Sequence, residues 1–531
     1  MKIEKISYRE TGRFAKIVTD YLEGSSPLRS FYKYEPNIDS IPEAMNDKLK
    51  ENIDGNKLAD NLLEQYSQID MPAKVFSNIN LFRNKNTFCV VTAHQLNIFT
   101  GPLYYIYKTI STIQLCNTLN NKYPENNFVP VFWLGSEDHD FAEINHFQLY
   151  GKTYTWGDVQ GGVCGKYNTD SLQNILHELI PVLGDTENAH FLISLFKNAY
   201  STSKTLAEAT RTVLSGLFGE YGLVVVDGDD SYFKKSCNSI IESELLNRNS
   251  EKLVNETLSK FPYEAQATPR EINLFYKLKN IRERILYDNE NNKFKINNTE
   301  IGFTEEEMQN ELKLFPERFS PNVILRPLFQ QKVLPSVAFI GGGGEIAYWM
   351  QLKKLFEFHE IQFPILLLRN SYLLIDASAE KKITKLQLSP TDLFKDEHIL
   401  INDFVNKHSS DDLKLSEESQ QLEQIFNAIQ KKAQKIDITL DKAVLGEKHN
   451  MLTVIQKLEG KLLKAEKIKM DAELGQIRSI LTKLFPNNSL QEREENFISY
   501  FLKYGKNFFE MLLEQSEQPS REFKILYPDN I

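Results

Sequence analysis

Short, continuously apolar runs alternate along the chain with segments whose apolar residues recur at helical spacing. The runs are rich in β-branched residues, which is typical of strands covered on both faces, and they lie at residues 88–91, 129–134, 223–226, 336–340 and 364–368. Between the first two runs a helical pattern begins at Gly101 and Pro102. Strand, helix and strand in this order form the βαβ unit of a parallel sheet. The pattern predicts an α/β fold whose doubly wound parallel sheet is interrupted by insertions.

The segments between these runs divide the chain further. Residues 1–85 are polar and mainly helical in pattern, and the polar turn at 288–292 indicates a small hairpin. We therefore predict an N-terminal helical segment with the first half of the core (1–150), an insertion (151–220), the second half of the core (221–388) with a hairpin insertion (285–303), an antiparallel coiled-coil arm (389–485) and a C-terminal helical segment (486–531).

The arm is predicted from an apolar seam of the kind found in coiled coils. The seam comprises Phe426, Ile429, Ala433, Ile436 and Leu440, loses phase near residues 437–446, and resumes with Met451, Ile455, Leu458, Leu462 and Ala465. A break between two such seams favours a hairpin of two antiparallel helices, and one long helix with a stutter is the alternative. An exposed arm of this kind commonly supports dimerisation, so we expect a homodimer formed through it.

Composition and charge narrow the function classes. The 62 Lys and Arg residues are outnumbered by 72 Asp and Glu residues, and the formal net charge of −10 argues against a surface that binds nucleic acid. No apolar run approaches the roughly 18 residues that span a bilayer, and the first twenty residues contain no continuous apolar segment, so we expect a cytoplasmic protein with no membrane partner. The four cysteines, Cys89, Cys116, Cys164 and Cys237, are scattered and predict neither a disulfide framework nor a zinc site.

Candidate chemistry follows from the loops after the predicted strands, because doubly wound sheets bind ligands at the carboxyl ends of their strands. The loop after the first strand contains Thr92, His94 and Gln95 and leads to Gly101, where a helix start would favour phosphate. His94 either donates to a nucleotide phosphate or is satisfied by neighbouring backbone. Lys108, further along the helix, is a weaker phosphate candidate, and an exposed lysine is its alternative reading. We predict that Thr92, His94, Gln95 and Gly101 contact the nucleotide.

The loop after the second strand, at residues 135–146, concentrates acidic residues and histidines. Glu137, Asp138 and His139 in a row are costly at a strand end unless they are solvated or used. Carboxylates of this kind bind a substrate ammonium, coordinate Mg²⁺ or act as a general base. We predict Asp138 and His139 as catalytic and Glu137 as a substrate contact. No helical i, i+4 pair of histidines supports a protein-held metal, so none is assigned.

A glycine run and two arginines complete the candidate set. Gly341, Gly342, Gly343 and Gly344 stand between a predicted strand and a helix, where glycine lets the backbone approach a ligand and permits positive φ. We predict that these four glycines bind the nucleotide. The run matches neither the P-loop nor the Gly-x-Gly-x-x-Gly fingerprint. Glu345 after it is predicted to bind a ribose hydroxyl or a substrate amine. Arg326, a lone cation in an apolar stretch, must pair with a protein carboxylate or a ligand's, and Arg369 adds a second predicted substrate contact.

The same residues lie in long strings through which the sequence resembles the cysteine ligase family of bacillithiol biosynthesis. The strings are TAHQLNIFTGPLYYIYKTISTI (92–113), PVFWLGSEDHDFAEINH (130–146), SPNVILRPLFQQKVLPSVAFIGGGGEIAYWMQLK (320–353), PILLLRNS (364–371) and LQEREENFISYFLKYG (490–505). They extend from the first predicted strand to near the C-terminus and are far more specific than a short motif.

The resemblance implies a fold, a reaction and a nucleotide. The fold would be a Rossmann-like core with connecting-peptide insertions and a coiled-coil arm, similar to class I aminoacyl-tRNA synthetases. The reaction would join L-cysteine to glucosaminyl malate, with ATP activating the carboxylate and any Mg²⁺ carried by the nucleotide. His94 would contact the nucleotide, although many family members have Gly-Gln where this chain has Ala93 and His94. The Lys-Met-Ser-Lys-Ser loop of those synthetases is absent from this sequence, and Arg369 is the residue nearest to the position expected for that loop.

Two other readings of the sequence remain. One is a non-catalytic nucleotide-binding scaffold whose coiled-coil arm recruits a partner. It does not explain the acidic-histidine loop, because a scaffold gains nothing from clustered buried charge. The other is nucleotidyl transfer without ligation, which needs no amine site.

Overall fold

The computed structural model describes residues 2–409 and 413–528. Its N-terminal elements are β1 (Lys2–Ser7), α1 (Lys16–Leu22), α2 (Ile41–Lys48), α3 (Gly55–Gln65) and α4 (Ala73–Leu81). The mainly helical character predicted for this region is confirmed, but β1 is an addition to it. Its antiparallel partner, Glu522–Tyr527, comes from the other end of the chain. No local pattern therefore marks residues 2–7 as a strand.

The predicted βαβ unit opens the sheet core. This part of the chain contains β2 (Thr87–His94), α5 (Tyr104–Lys122), β3 (Asn127–Leu134), α6 (Phe141–Ile144), β4 (His146–Leu149) and β5 (Lys152–Thr155). The strands β4 and β5 form a separate hairpin. The first helical residue of α5 is Tyr104, so Pro102 precedes the helix instead of beginning it.

The rest of the insertion predicted at 151–220 is helical, and the third buried run follows it. The elements here are α7 (Leu172–Leu183), α8 (Glu187–Thr202), α9 (Leu206–Phe218), β6 (Val224–Asp227), α10 (Ser231–Ser236), α11 (Asn238–Asn247) and α12 (Asn249–Leu258). Helix α9 packs against α8 and β6, which connects this helical segment to the edge of the sheet.

A second sheet and the last two core strands come next. The elements are β7 (Leu274–Leu278), β8 (Ile281–Asp288), β9 (Lys293–Ile296), β10 (Gly302–Phe303), α13 (Glu305–Leu314), β11 (Phe319–Pro321), α14 (Arg326–Val333), β12 (Ser336–Gly341), α15 (Gly343–Met350), α16 (Lys353–Phe358), β13 (Ile365–Leu368) and β14 (Tyr372–Leu374). The small hairpin expected at 285–303 is one part of a five-stranded sheet ordered β10-β9-β8-β7-β11. The strands β7 and β11 lie outside the predicted hairpin and have only five and three residues, which is too short for a clear sequence pattern.

The C-terminal part is mainly helical. It contains α17 (Ala377–Lys385), α18 (Glu397–His408), α19 (Ser416–Ile436), α20 (Leu440–Lys469), α21 (Asp471–Leu484), α22 (Gln491–Glu494), α23 (Ile498–Tyr504), α24 (Asn507–Gln515) and β15 (Glu522–Tyr527). The strand β15 lies between β1 and β14 in a three-stranded sheet. The last strand of the chain therefore joins its N-terminus to the segment that follows the core.

The central sheet confirms the predicted fold class. Its order is β13-β12-β2-β3-β6, and every neighbouring pair is parallel. Alternate residues of β2 enter two different apolar clusters, Phe88 and Val90 in one and Cys89 and Val91 in the other. Both faces of the sheet are thus buried, which is why its strands appear in the sequence as continuous apolar runs.

The arm is a helical hairpin, as the interrupted seam predicts. Hydrogen bonds between α19 and α20 include Gln430 Nε2 to Asp441 Oδ1 at 2.7 Å and Lys448 Nζ to Asn427 Oδ1 at 3.3 Å. The alternative of one long helix is wrong. Within residues 2–409 and 413–528, none of the helices combines the length and apolarity needed to traverse a bilayer.

Candidate active site

A cavity of about 770 Å³ opens at the carboxyl ends of the central strands. It is lined by residues 93–95 at the end of β2, 133–135 and 137–139 at the end of β3, and 342–345 after β12. Phe275 and Arg282 of the antiparallel sheet also line it. A groove of about 490 Å³ adjoins it and shares His94, Gln95, Tyr104 and Arg493 with it. Open α/β sheets bind ligands at this edge.

Most of the sequence-predicted residues meet at this cavity. Those that line it are His94, Gln95, Glu137, Asp138, His139, Arg326, Gly342, Gly343, Gly344, Glu345 and Arg369. Thr92, Gly101 and Gly341 lie outside the lining. The hydroxyl of Thr92 instead donates to the carbonyl of Ile340 at 2.8 Å, which ties β2 to β12.

The start of α5 does not face the cavity as an open anion site. The N–H of Leu103 donates to the carbonyl of Glu495 at 2.8 Å. The side-chain amide of Asn496 donates to the carbonyls of Phe99 and Gly101 at 2.9 and 2.6 Å. Gly101 has φ of 59°, and a Cβ there would lie 2.8 Å from the Cβ of Asn97. The C-terminal segment therefore occupies the helix start where sequence analysis expected phosphate.

Asp138 is held as an ionised carboxylate. One oxygen accepts from Gln95 Nε2 at 2.7 Å, and the other accepts from the N–H groups of His139 and Asp140 at 2.7 and 3.1 Å. Burial acts to raise the pKa of Asp138, but these hydrogen bonds and the charge of Arg282 outweigh it and hold the pKa below its ordinary value. The group therefore carries its charge at neutral pH and is a weak proton acceptor.

His139 is paired with an arginine that sequence analysis missed. The Nη1 of Arg282 lies 2.6 Å from His139 Nδ1. Since a guanidinium only donates, Nδ1 is the acceptor and the proton of the neutral ring sits on Nε2. Burial and the charge of Arg282 lower the pKa of His139. The ring consequently presents an N–H donor to its surroundings.

His94 has the opposite arrangement. Its Nδ1 lies 3.3 Å from the carbonyl of Gln95, and because a carbonyl only accepts, Nδ1 carries the proton. Burial, followed by the charge of Lys108, lowers the pKa of His94 to about 3. His94 is therefore neutral, and the Nε2 of this tautomer can accept a hydrogen bond from a hydroxyl or an amine but cannot donate to a phosphate oxygen.

Lys108 is buried, contrary to the exposed alternative. Its Nζ lies 2.5 Å from Glu345 and donates to the carbonyl of Ala93 at 2.9 Å. Glu345 also accepts from the N–H of Gly342 at 2.8 Å. Burial acts to raise the pKa of Glu345, but the charge of Lys108 outweighs it and keeps the carboxylate ionised. Glu345 thus holds the glycine turn against α5.

Two other predicted substrate contacts are also occupied by protein partners. Glu137 forms an ion pair with the buried Lys234. Arg369 makes a two-pronged pair with Glu492 at 2.9 and 2.6 Å. Arg326, in contrast, donates to the hydroxyl of Tyr348 at 2.6 Å and pairs with no carboxylate in the described part of the chain.

Three residues of the site were missed or undervalued. Arg282 lies on β8, before the start of the hairpin predicted at 285–303. Arg493 lies in the matching string 490–505, to which no role was assigned. Lys108 is flanked on its helix by the apolar residues Tyr105, Ile106, Tyr107 and Ile110, and these neighbours were the available signal of burial.

The cavity lacks a cluster typical of a metal centre. Among residues 2–409 and 413–528, no three His, Cys, Asp or Glu side chains are grouped closely enough to hold a metal ion. The thiols of all four cysteines are buried and free.

Comparison with known families covers both parts of the chain. Residues 1–370 match the model described as "Bacillithiol biosynthesis BshC, N-terminal Rossmann-like domain". Residues 372–528 match "Bacillithiol biosynthesis BshC, C-terminal coiled-coil domain". Between them the two models account for nearly the whole sequence.

Curated relatives match at full length. The chain is 42% identical over 530 residues to "Putative cysteine ligase BshC" of Flavobacterium psychrophilum, covering 99% of both chains. It is 42% identical to the protein of the same name from Christiangramia forsetii, covering 98% of both. A crystal structure titled as a putative arginyl-tRNA synthetase from Campylobacter jejuni covers 87% of this chain and 97% of its own at 11% identity, with a TM-score of 0.24 that is too low to support an argument.

Proposed function

Because the chain belongs to the BshC family of bacillithiol biosynthesis, we propose that it is a cysteine ligase. In this proposal it joins L-cysteine to the amine of glucosaminyl malate through an amide bond, as the last step of bacillithiol formation. ATP is the cosubstrate that activates the cysteine carboxylate. Any Mg²⁺ arrives with the nucleotide.

The observation that carries the proposal is the pattern of uncompensated charge in the cavity. Asp138 is ionised and accepts hydrogen bonds only from neutral donors, with the charge of Arg282 nearby. Arg326, which also lines the cavity, pairs with no carboxylate among the described residues. A substrate with an ammonium group and carboxylates complements this pair of charges. Glucosaminyl malate carries an ammonium on its sugar and two carboxylates on its malate.

The residues take roles that follow from their protonation states. Asp138 accepts a hydrogen bond from the substrate amine and orients it, because its low pKa makes it a poor base. The Nε2–H of His139 donates to an oxygen of the reacting groups, and Arg326 pairs with a malate carboxylate. Holding the amine beside the acyl carbon is the main contribution of such a site, since correct placement supplies up to roughly 7–11 kcal/mol.

The glycine turn is the part of the cavity that suits the nucleotide. Gly342, Gly343 and Gly344 line it with backbone alone, so a ligand can approach closely. None of the four glycines at 341–344 has positive φ, so close approach is the property that these positions supply. ATP converts the carboxylate of cysteine into a better electrophile, and the chain's own residues position the two reactants.

The proposal is tested by incubating the purified protein with ATP, L-cysteine and glucosaminyl malate and following the conjugate by mass spectrometry. We expect conjugate from the wild type and none from Asp138→Asn. Asp140→Asn should retain activity, because the side chain of Asp140 forms no hydrogen bond within residues 2–409 and 413–528. Nucleotide cleavage without conjugate would indicate a hydrolase or a transferase. Nucleotide binding without turnover would indicate a scaffold. Near-normal turnover of Asp138→Asn would remove that residue from the mechanism.

We also propose that the protein works in the cytoplasm as a homodimer formed through its arm. Support for the dimer comes from the exposed apolar residues of the hairpin. Met451, Val454, Leu458 and Leu462 follow one another at helical spacing on α20, with exposed fractions of 47%, 48%, 46% and 42%. An apolar stripe of this extent is unusual on a surface that faces only water.

A further inference from the structure

Arg493 of the C-terminal domain lines the active-site cavity and has no charged partner in the described part of the chain. Arg493 belongs to α22 and lines both the cavity and the adjoining groove. In the described part of the chain its guanidinium forms no hydrogen bond or ion pair. The carboxylates beside it in sequence are engaged elsewhere, Glu492 with Arg369 and Glu494 with Gln148 and Asn487.

A second donor at the same place is buried and unsatisfied. Arg369 has a side chain only 5% exposed, and its terminal nitrogens are fixed by Glu492. Among residues 2–409 and 413–528, its Nε has no hydrogen-bond partner. A Cβ built on Gly342 would lie 3.9 Å from this Nε, so the unsatisfied N–H lies beside the glycine turn. Leaving a charged donor buried without an acceptor is unfavourable, which indicates that a ligand supplies the acceptor.

The helix start beside that donor has only part of a cap, the hydrogen bond from the N–H of Gly342 to the side chain of Glu345. The N-terminal N–H groups of a helix have no partners within it, and the residue before α15 is Gly342, which has no side chain to accept from them. Glu345 satisfies only the N–H of Gly342. Gly343 and Gly344 line the cavity, so the positive end of the eight-residue helix faces it.

Tyr104 lies near both Arg369 and Arg493. The guanidinium of Arg369 lies 5.5 Å from the centre of its ring. Burial raises the pKa of Tyr104, and the charges of Arg369 and Arg493 oppose that rise. Both arginines therefore act on one side chain that lines the cavity. Of the acidic groups nearby, Glu345 is paired with Lys108. Glu143 accepts a hydrogen bond from Gln95, which is a neutral donor.

We propose that Arg493, the Nε of Arg369 and the start of α15 form an oxyanion subsite, so that the C-terminal domain completes the active site. The ligand group is a phosphate or a carboxylate, since both present oxygen acceptors that match a guanidinium and a helix start. This inference rests on the proposed function only for the identity of the molecule that carries the oxyanion. Arg326 contacts a separate anionic group in the same cavity.

The test compares binding of inorganic pyrophosphate and of L-malate to the full chain by calorimetry. The variants are Arg493→Gln and Arg493→Lys, and the matched control is Arg521→Gln, an exposed arginine of the same domain outside both cavities. We expect Arg493→Gln to weaken one probe by roughly tenfold or more and Arg493→Lys to weaken it less, because lysine keeps the charge but loses the two-pronged geometry. The control should bind as the wild type does.

Each outcome has a defined reading. Selective loss of pyrophosphate identifies a phosphate subsite, and selective loss of malate identifies a carboxylate subsite. Wild-type affinity of Arg493→Gln for both probes, or binding of neither probe by the wild type at millimolar concentration, overturns the inference. Thermal unfolding of each variant shows whether it is still folded. If Arg493→Gln is unfolded, Arg493→Lys provides the second substitution. Conjugate formation is measured separately, so a failed ligase assay with an intact probe effect rejects the proposed function and keeps the subsite.

Discussion

At the scale of single residues, Asp138 differs from the other carboxylates around the cavity. Glu345 and Glu492 are each neutralised by a buried cation, Lys108 and Arg369 respectively. Glu137 is neutralised in the same way by the buried Lys234. Asp138 accepts only from neutral donors. The protein has therefore satisfied its structural charges internally and left one carboxylate available to a ligand.

The pair of Lys108 and Glu345 has a testable energetic consequence. Lys108→Met removes the cation and strands the buried carboxylate, which costs about 3–5 kcal/mol of unfolding free energy. Adding Glu345→Gln removes the stranded charge, so the double variant should be more stable than Lys108→Met alone. Urea unfolding of the three proteins measures this. If the double variant is no more stable than Lys108→Met alone, the two side chains do not act as a pair.

His94 predicts a pH dependence of stability. Its pKa is about 3 in the folded protein, against an ordinary value of 6.5, so between these values the unfolded state binds the proton more readily. The stability it contributes is complete above pH 6.5 and is lost as the pH falls toward 3. Between pH 7 and pH 5 the loss is about 2 kcal/mol.

The measurement is urea unfolding of the wild type and of His94→Gln at both pH values. The pH-dependent change should be smaller in the variant by about that amount. Burial also lowers the pKa of His359, to about 4, but this histidine is present in both proteins and cancels in the comparison. Equal pH dependence in the two proteins would contradict the buried, neutral state of His94.

At the scale of elements, the glycine turn before α15 has separable structural and ligand roles. A Cβ on Gly343 would lie 2.8 Å from Cγ2 of Val18, whereas a Cβ on Gly344 would meet nothing within 4 Å. Only the first of these two glycines is required by packing. The second lines the cavity and is free to serve the ligand.

Gly344→Ala should accordingly keep the fold and weaken ATP binding. Its unfolding free energy should stay the same or rise by up to about 1 kcal/mol, because alanine restricts the unfolded chain, while the added methyl group narrows the approach to the turn. Gly343→Ala is the matched comparison and should lose stability through its contact with α1. Chemical unfolding and ATP calorimetry measure the two effects. Unchanged ATP affinity in Gly344→Ala would place the nucleotide elsewhere.

The same scale shows what could be predicted from sequence. The central strands were recognisable because burial on both faces leaves continuous apolar runs, as at residues 88–91. Strand β1 was not, because its partner lies at the far end of the chain. The loops that line the cavity were predicted from strand order alone. Arg282 and Arg493 could not be, since a second sheet and a C-terminal helix bring them to the site from regions with no pattern that indicates it.

At the scale of the whole molecule, the two domains share secondary structure as well as a cavity. The strand β15 pairs with β1 on one side and with β14 on the other. Glu492 of the C-terminal domain neutralises Arg369 at the end of β13. The site therefore depends on the chain being folded from end to end, while the arm, which extends from this body, is available for association.

The final prediction concerns that association. Replacing Val454 and Leu458 with lysine places two charges in the apolar stripe of α20, which should convert the dimer to a monomer because a desolvated like-charge cluster opposes pairing. Asn450→Lys with Gln456→Lys is the matched control, since it adds the same charge at exposed polar positions of the same helix. Light scattering after size exclusion should show half the mass for the first variant and the full dimer mass for the control. Unfolding of the body should be unaffected, because the replaced side chains are already about half exposed. A monomeric wild type, or a dimer that survives both lysines, would exclude this face as the interface and require the stripe to be covered by a different partner.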